Sequence, residues 1–178
     1  APFNTILNEH RVFTYKDTAV ISPNSDTPYS LCWLDLRAEP APGPAPCDEL
    51  QRLSRRRIFF GHQSVGMNLL DGMREIAARY PDVGLRIVEE KSLAEFPPGT
   101  FAHAFLSENG NPSLKLKGFE QALASGGPGV PDLAFVKFCY VDFSAGTDVS
   151  RLFAEYHAAL DRLHQVHPRT VFVHFTAP

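Results

Sequence analysis

The spacing of apolar positions changes character once along the chain. Up to residue 38 they come in short stretches, Val12–Tyr15, Thr18–Ser22 and Tyr29–Leu36, rich in β-branched and aromatic residues. Turn formers separate them, S-P-N-S-D-T-P at 22–28 above all, so the pattern predicts three short strands. Residues 39–47 read E-P-A-P-G-P-A-P-C, with a proline at every second position from 40 to 46. That composition favours an extended linker and forbids a central strand. Beyond it, strand and helix periods alternate. Arg57–Gly61 predicts a strand, and Val65–Tyr80 a helix with apolar residues at 65, 69, 73, 76, 77 and 80. Gly84–Val88 predicts a second strand, and 91–113, with its Pro, Gly and Asn, a long loop. Leu114–Ala124 predicts a helix, Asp132–Val141 a buried strand, Val149–Val166 the longest helix and Thr170–Phe175 a last strand.

The order β-α-β-loop-α-β-α-β predicts an α/β domain with a mostly parallel sheet covered on both faces. Three segments follow: a β-rich stretch at 1–38, a linker at 39–47 and the α/β domain at 48–178. Composition adds limits. With 178 residues, 44% of them hydrophobic and 21% charged, the chain has the balance of an ordinary globular domain. A stretch of 38 residues is too small to hold a core by itself. The net charge of −3 carries no basic excess, which argues against a nucleic-acid partner. No apolar run approaches the roughly 20 residues of a membrane helix, which argues against a membrane partner. Cys32, Cys47 and Cys139 form neither a disulfide framework nor a zinc knuckle and fit a reducing compartment, hence the cytoplasm. The chain starts without Met and stops inside a predicted strand, so it reads as truncated, with an open sheet edge. A second copy pairing along that edge would make a homodimer.

Ligands of a parallel sheet bind beyond the carboxyl ends of its strands. There the chain offers F-F-G-H-Q-S-V-G-M-N at 59–68, a strand running through a tight turn into a helix. Ser64 at that turn would feel the positive end of the helix dipole, beside backbone N–H groups able to hold an oxyanion. Gly66 would allow close approach of a substrate, so an acyl-transfer nucleophile fits the pattern, and a plain helix N-cap fits it too. His174, at the end of the last strand, is the best-placed base, with Asp142 to orient it. Asn109 and Gly110 in the long loop are candidate oxyanion donors. His62, His103, Asp142 and His174 form an alternative set, three histidines and a carboxylate suited to zinc or a similar divalent metal that activates water. His157, Asp161 and His164 share one face of the long helix, the pattern of a solvated face. Walker A, G-x-G-x-x-G and H-E-x-x-H motifs do not occur.

Two resemblances refine this picture. Residues 12–40, through P-N-S-D-T-P-Y-S and W-L-D-L, resemble a piece of a bacterial domain family of unknown function. Residues 57–178, through I-F-F-G-H-Q-S-V-G-M-N, S-E-N-G-N-P-S-L-K, F-V-K-F-C-Y-V-D and V-H-F-T-A-P, resemble the SGNH (GDSL-like) hydrolases. That resemblance implies a three-layer, flavodoxin-like α/β fold and hydrolysis of small-molecule esters without a cofactor. It implies Ser64 as nucleophile and Gly110, with Asn109 or Asn111, in the oxyanion hole. The chain departs from the superfamily in carrying H-Q-S for G-D-S and in lacking G-x-N-D after the third strand. It also stops before the place of the D-x-x-H that supplies the base. Asp161–His164 spells D-x-x-H in the wrong element. A domain without catalysis is the third expectation.

Overall fold

In a computed structural model, the described residues are 11–15, 18–22, 46–89, 93, 97–124 and 129–175. They fall in two units, Ala1–Gly43 and Pro44–Pro178. In the first, β1 (Arg11–Tyr15) and β2 (Thr18–Ser22) pair antiparallel, with Arg11 opposite Ser22 and Tyr15 opposite Thr18. Both strands were expected from their β-branched and aromatic content. The third expected strand, Tyr29–Leu36, and linker residues 39–45 lie outside the described residues.

The second unit opens with helix α1 (Pro46–Leu53). It starts inside the expected linker because proline suits the first helical position, where no N–H is needed, and Asp48 and Glu49 favour the first turn. Then follow β3 (Arg57–His62), α2 (Gly66–Ala78), β4 (Arg86–Glu89), β5 (Thr100–Phe105), α3 (Pro112–Ala124), β6 (Leu133–Val136), α4 (Val149–Val166) and β7 (Val171–Phe172). The strands form one sheet in the order β4-β5-β3-β6-β7, every neighbouring pair parallel. Setting aside edge strand β4, the other four run 2-1-3-4 in chain order, the flavodoxin-like arrangement as far as it extends.

Side-chain alternation divides the core into two layers. Ile58, Phe60 and Phe101 face Leu70 of α2, with Leu53 of α1 packed beside them. Phe59, Ala102, Ala104, Ala134 and Val136 face Leu116, Phe119 and Leu123 of α3 and Leu152, Leu160 and Leu163 of α4. The unit is thus a three-layer α/β sandwich of the expected class.

One element departs from the sequence reading in a way that matters for function. Residues 91–113 were expected to be a loop, yet β5 lies within them and occupies an inner position of the sheet. T-F-A-H-A-F is covered on both faces, with alanines toward one layer and Phe101 and His103 toward the other. Flanking Pro97, Pro98 and Gly99 hid it. β4 begins at Arg86 and not Gly84, whose φ of +69° closes the preceding 3-10 turn in a left-handed conformation. β6 ends at Val136, short of the expected Val141, and a 3-10 turn at Tyr140–Asp142 follows.

Candidate functional site

β3 ends at His62, α2 begins at Gly66, and the link between them is Gln63-Ser64-Val65. Ser64 is exposed, and its φ of +42° makes it the one non-glycine residue of left-handed φ among the described residues. An L-residue in that region carries a strain of about 1–2 kcal/mol. The helix cap is Val65, and no side chain caps α2. Ser64 therefore does not act as an N-cap, and its hydroxyl has no hydrogen bond among the described residues. Two bonds brace the turn from neighbouring loops. Gln63 Nε2 donates to the carbonyl of Leu106 beyond β5 at 2.7 Å. The Cys139 thiol beyond β6 donates to the carbonyl of Gln63 at 3.5 Å.

Gly66 has a packing reason of its own. Its N–H is already spent on the Gln63 carbonyl at 3.0 Å, so it is no oxyanion donor. A Cβ there would lie 2.3 Å from His62 Nδ1, 2.4 Å from Cγ and 2.5 Å from Cβ. Glycine is required because the imidazole rests on the first turn of α2. The Val65 N–H, by contrast, has no backbone acceptor among the described residues. It follows the serine directly and faces no competing partner.

The loop after β5 is organised by a residue the sequence reading missed. The side chain of Lys115, on α3, is fully buried and paired with the equally buried side chain of Asp142. Lys115 Nζ donates to Asp142 Oδ1 at 2.8 Å, to Asp142 Oδ2 at 2.5 Å and to Asn109 Oδ1 at 2.7 Å, using its full complement of protons. Asp142 also accepts the N–H of Gly110 at 2.8 Å and that of Cys139 at 2.7 Å. Asp142 was expected to orient a histidine; its oxygens are taken instead by an ammonium and two backbone N–H groups. The Gly110 N–H was expected to serve an oxyanion; it is consumed by this carboxylate, and the φ of +89° that only glycine adopts easily lets the loop turn there. The Asn109 oxygen faces Lys115, so its NH₂ is the half turned away. Asn111 caps α3, its Oδ1 accepting the Leu114 N–H at 3.1 Å. The trace of Lys115 in the sequence is a lysine in the apolar stripe 115, 119, 123 of α3, all three buried.

The expected triad and the expected metal cluster both fail on strand alternation. His174 Nδ1 is bonded to the Tyr156 hydroxyl of α4 at 2.9 Å, which places it on the α3/α4 side. It bonds to neither Ser64 nor Asp142, and β7 lies two strands from β3, about 10 Å across the sheet. His62 and His103 point to the opposite layer, where His62 Nε2 lies 3.0 Å from His103 Nδ1. Asp142 is neutralised by Lys115. No three His, Cys, Asp or Glu side chains among the described residues are grouped to hold a metal ion. His157 packs its ring on Phe153 at 4.6 Å on α4, away from these residues.

The histidine pair is still unusual. Both rings are buried, and His62 stacks on Phe60 at 4.7 Å. Burial first, then the neighbouring His103, push the pKa of His62 down from 6.5 to about 4. Burial and Arg74 lower that of His103. Arg74 Nη2 lies 3.4 Å from His103 Nε2 and can only donate. That places the His103 proton on Nδ1, makes His62 Nε2 the acceptor and leaves the proton of His62 on Nδ1, a buried atom with no partner.

Around Ser64 the carboxyl edge is apolar. Val65, Phe105, Tyr140, Val141 and Phe175 all lie at or just past the ends of β3, β5, β6 and β7, and all are exposed, Tyr140 by 64%. Exposed aromatic side chains at the carboxyl edge of a parallel sheet suit an apolar ligand.

The fold and edge thus define an α/β sandwich with a strained serine at the end of an inner strand. Comparison with known proteins touches the other unit. Residues 3–43 match the model of a family described as Protein of unknown function (DUF1254), which agrees with the resemblance seen at 12–40. No curated protein and no solved structure matches the chain. Among the described residues, no helix is long and apolar enough to cross a membrane.

Proposed function

We propose that the α/β unit acylates on Ser64 and hydrolyses small esters that carry an apolar acyl group. The observation that carries this reading is the backbone of Ser64: an exposed serine in left-handed φ between an inner parallel strand and a helix, capping nothing. A strained turn of this kind lifts a hydroxyl above the sheet edge, as in nucleophile elbows. The resemblance of residues 57–178 to SGNH hydrolases supports the same atom. The Val65 N–H and the Asn109 NH₂ supply donors for the carbonyl oxygen, and the rim of Phe105, Tyr140 and Val141 receives the acyl chain.

Ser64 Oγ attacks the ester carbonyl, forming the new C–O bond. Its proton passes to a water or buffer base, since no described side chain accepts it. The tetrahedral oxyanion collapses, the bond to the alcohol oxygen breaks, and the alkoxide takes a proton from solvent. Water later cleaves the acyl-serine to acid and free hydroxyl. Among the described residues neither step has an imidazole bonded to the serine oxygen, so an activated ester is the substrate of choice and deacylation is slow.

p-Nitrophenyl acetate tests this. The expected result is a burst of nitrophenolate close to one per chain, with acetyl mapped to Ser64 and lost in Ser64→Ala. A burst of equal size in Ser64→Ala, or no acetylation of folded protein, overturns the reading and leaves a domain without catalysis at this edge.

A further inference from the structure

We propose that Lys115 is a positioning residue that sets the direction of the Asn109 amide and thereby makes its NH₂ an oxyanion donor; this rests on the Ser64 reading. An exposed asparagine amide normally turns freely, and either end can face a substrate. Here the oxygen of Asn109 accepts from Lys115 Nζ at 2.7 Å, and an ammonium tolerates only an acceptor. The NH₂ group is thus directed away from Lys115 and has no acceptor among the described residues.

Lys115 is itself held on both sides. Its side chain and that of Asp142 have no exposure, and the two carboxylate oxygens take its other protons. Asp142 in turn fixes the backbone at Gly110, next to Asn109, and at Cys139. Cys139 reaches the Gln63 carbonyl, and Gln63 reaches the Leu106 carbonyl. The three loops after β3, β5 and β6 are joined through these bonds, with the serine on one and the amide on another. Preorganised donors of this kind stabilise a developing oxyanion because they do not reorient during the reaction.

A buried charge pair is not needed for folding as such, because apolar or neutral replacements of both partners are often tolerated. The test therefore removes both charges. K115M/D142N keeps an amide oxygen at 142 for one of the Gly110 and Cys139 N–H groups, removes both charges and frees the Asn109 amide. The readout is the burst rate constant with p-nitrophenyl acetate. Asn109→Ala, an exposed site, is expected to lower it about 100-fold. K115M/D142N is expected to lower it to within a few-fold of that value while retaining the thermal transition. The triple variant should be no slower than either, because all three remove the same donor. A loss in K115M/D142N that multiplies with that of Asn109→Ala means the pair acts otherwise than through the amide, and overturns the inference. So does an unchanged burst rate in K115M/D142N. Should K115M/D142N not fold, Lys115→Gln, whose amide can still donate to Asn109, is expected to keep the burst rate within a few-fold of wild type, and a loss as large as that of Asn109→Ala overturns the inference. A wild-type burst that does not map to Ser64 removes the reading beneath the proposal, and is distinguishable because it needs no variant.

Discussion

Gly66→Ala is a small change with a large expected effect. The added methyl would sit 2.3–2.5 Å from three atoms of the His62 side chain, about 1 Å or more inside normal contact. The ring cannot swing aside cheaply. Its centroid lies 4.7 Å from that of Phe60, 4.9 Å from that of Phe105 and 5.1 Å from that of His103, and the residue has no exposed surface. Nor can α2 retreat without lifting Leu70, which is fully buried on the same layer. Overpacking of this kind costs about 1–3 kcal/mol. For a chain of this size that corresponds to a fall in Tm of roughly 2–4 °C per kcal/mol, hence about 2–12 °C in all. The assay is thermal or urea unfolding of the full chain. His62→Ala removes the obstructing ring and costs its own about 2–4 kcal/mol as a cavity. In the double variant the methyl occupies part of that cavity, so it should be at least 1 kcal/mol more stable than the sum of the singles predicts. A Gly66→Ala protein with wild-type Tm, or strictly additive singles, would show that the helix does not rest on the imidazole and that the glycine has some other reason.

Further outcomes follow from the same geometry. Lys115→Met alone leaves Asp142 charged and unpaired and should cost about 3–5 kcal/mol, whereas K115M/D142N should lie within about 2 kcal/mol of wild type in urea unfolding. Ser64→Gly relieves the left-handed φ and should raise stability by about 1 kcal/mol while abolishing the burst; a loss of stability would deny the strain. The folded pKa of His62, near 4, lies below its unfolded value of 6.5, so the unfolded chain takes up the proton first as pH falls. Its contribution is complete above about pH 6.5 and is lost progressively toward pH 4, by about 3 kcal/mol, with His103 acting in the same direction. His62→Phe should flatten the Tm profile over that window, and an equally steep profile in the variant would place the acid sensitivity elsewhere.

The amphipathic helices and the apolar strands were legible because period and burial agree in them: α4 runs from Val149 to Val166 as its stripe predicts. β5 was not, because a strand covered on both faces loses its alternation of apolar and polar residues, and its alanines and single histidine resemble a loop. The place of Ser64 could be read from strand, turn and helix signals. Its partners could not, because which face a residue past a strand end takes depends on register. His174 and His62 seemed to share an edge, yet pleating sends them to opposite layers. Asp142 was expected to pair with a histidine, but it pairs with Lys115. The lysine that claims it is 27 residues away on a helix, betrayed only by a charge within an apolar stripe.

The inner position of β5 also bears on how the sheet is assembled. In sequence β4 precedes β5, but in space β5 separates β4 from β3. A chain emerging from synthesis as far as Gly99 therefore holds two strands that never meet, each lacking the neighbour that satisfies its backbone. When residues 100–105 arrive, one strand closes the gap on both sides, pairing Arg57 through His62 along one edge and Arg86 through Glu89 along the other. The third strand of the unit to be made is the one through which the first two become a sheet, and the same strand leads into the loop whose Leu106 carbonyl accepts from Gln63, next to Ser64. Closing the sheet and bracing the turn that holds Ser64 are one event in the life of the chain.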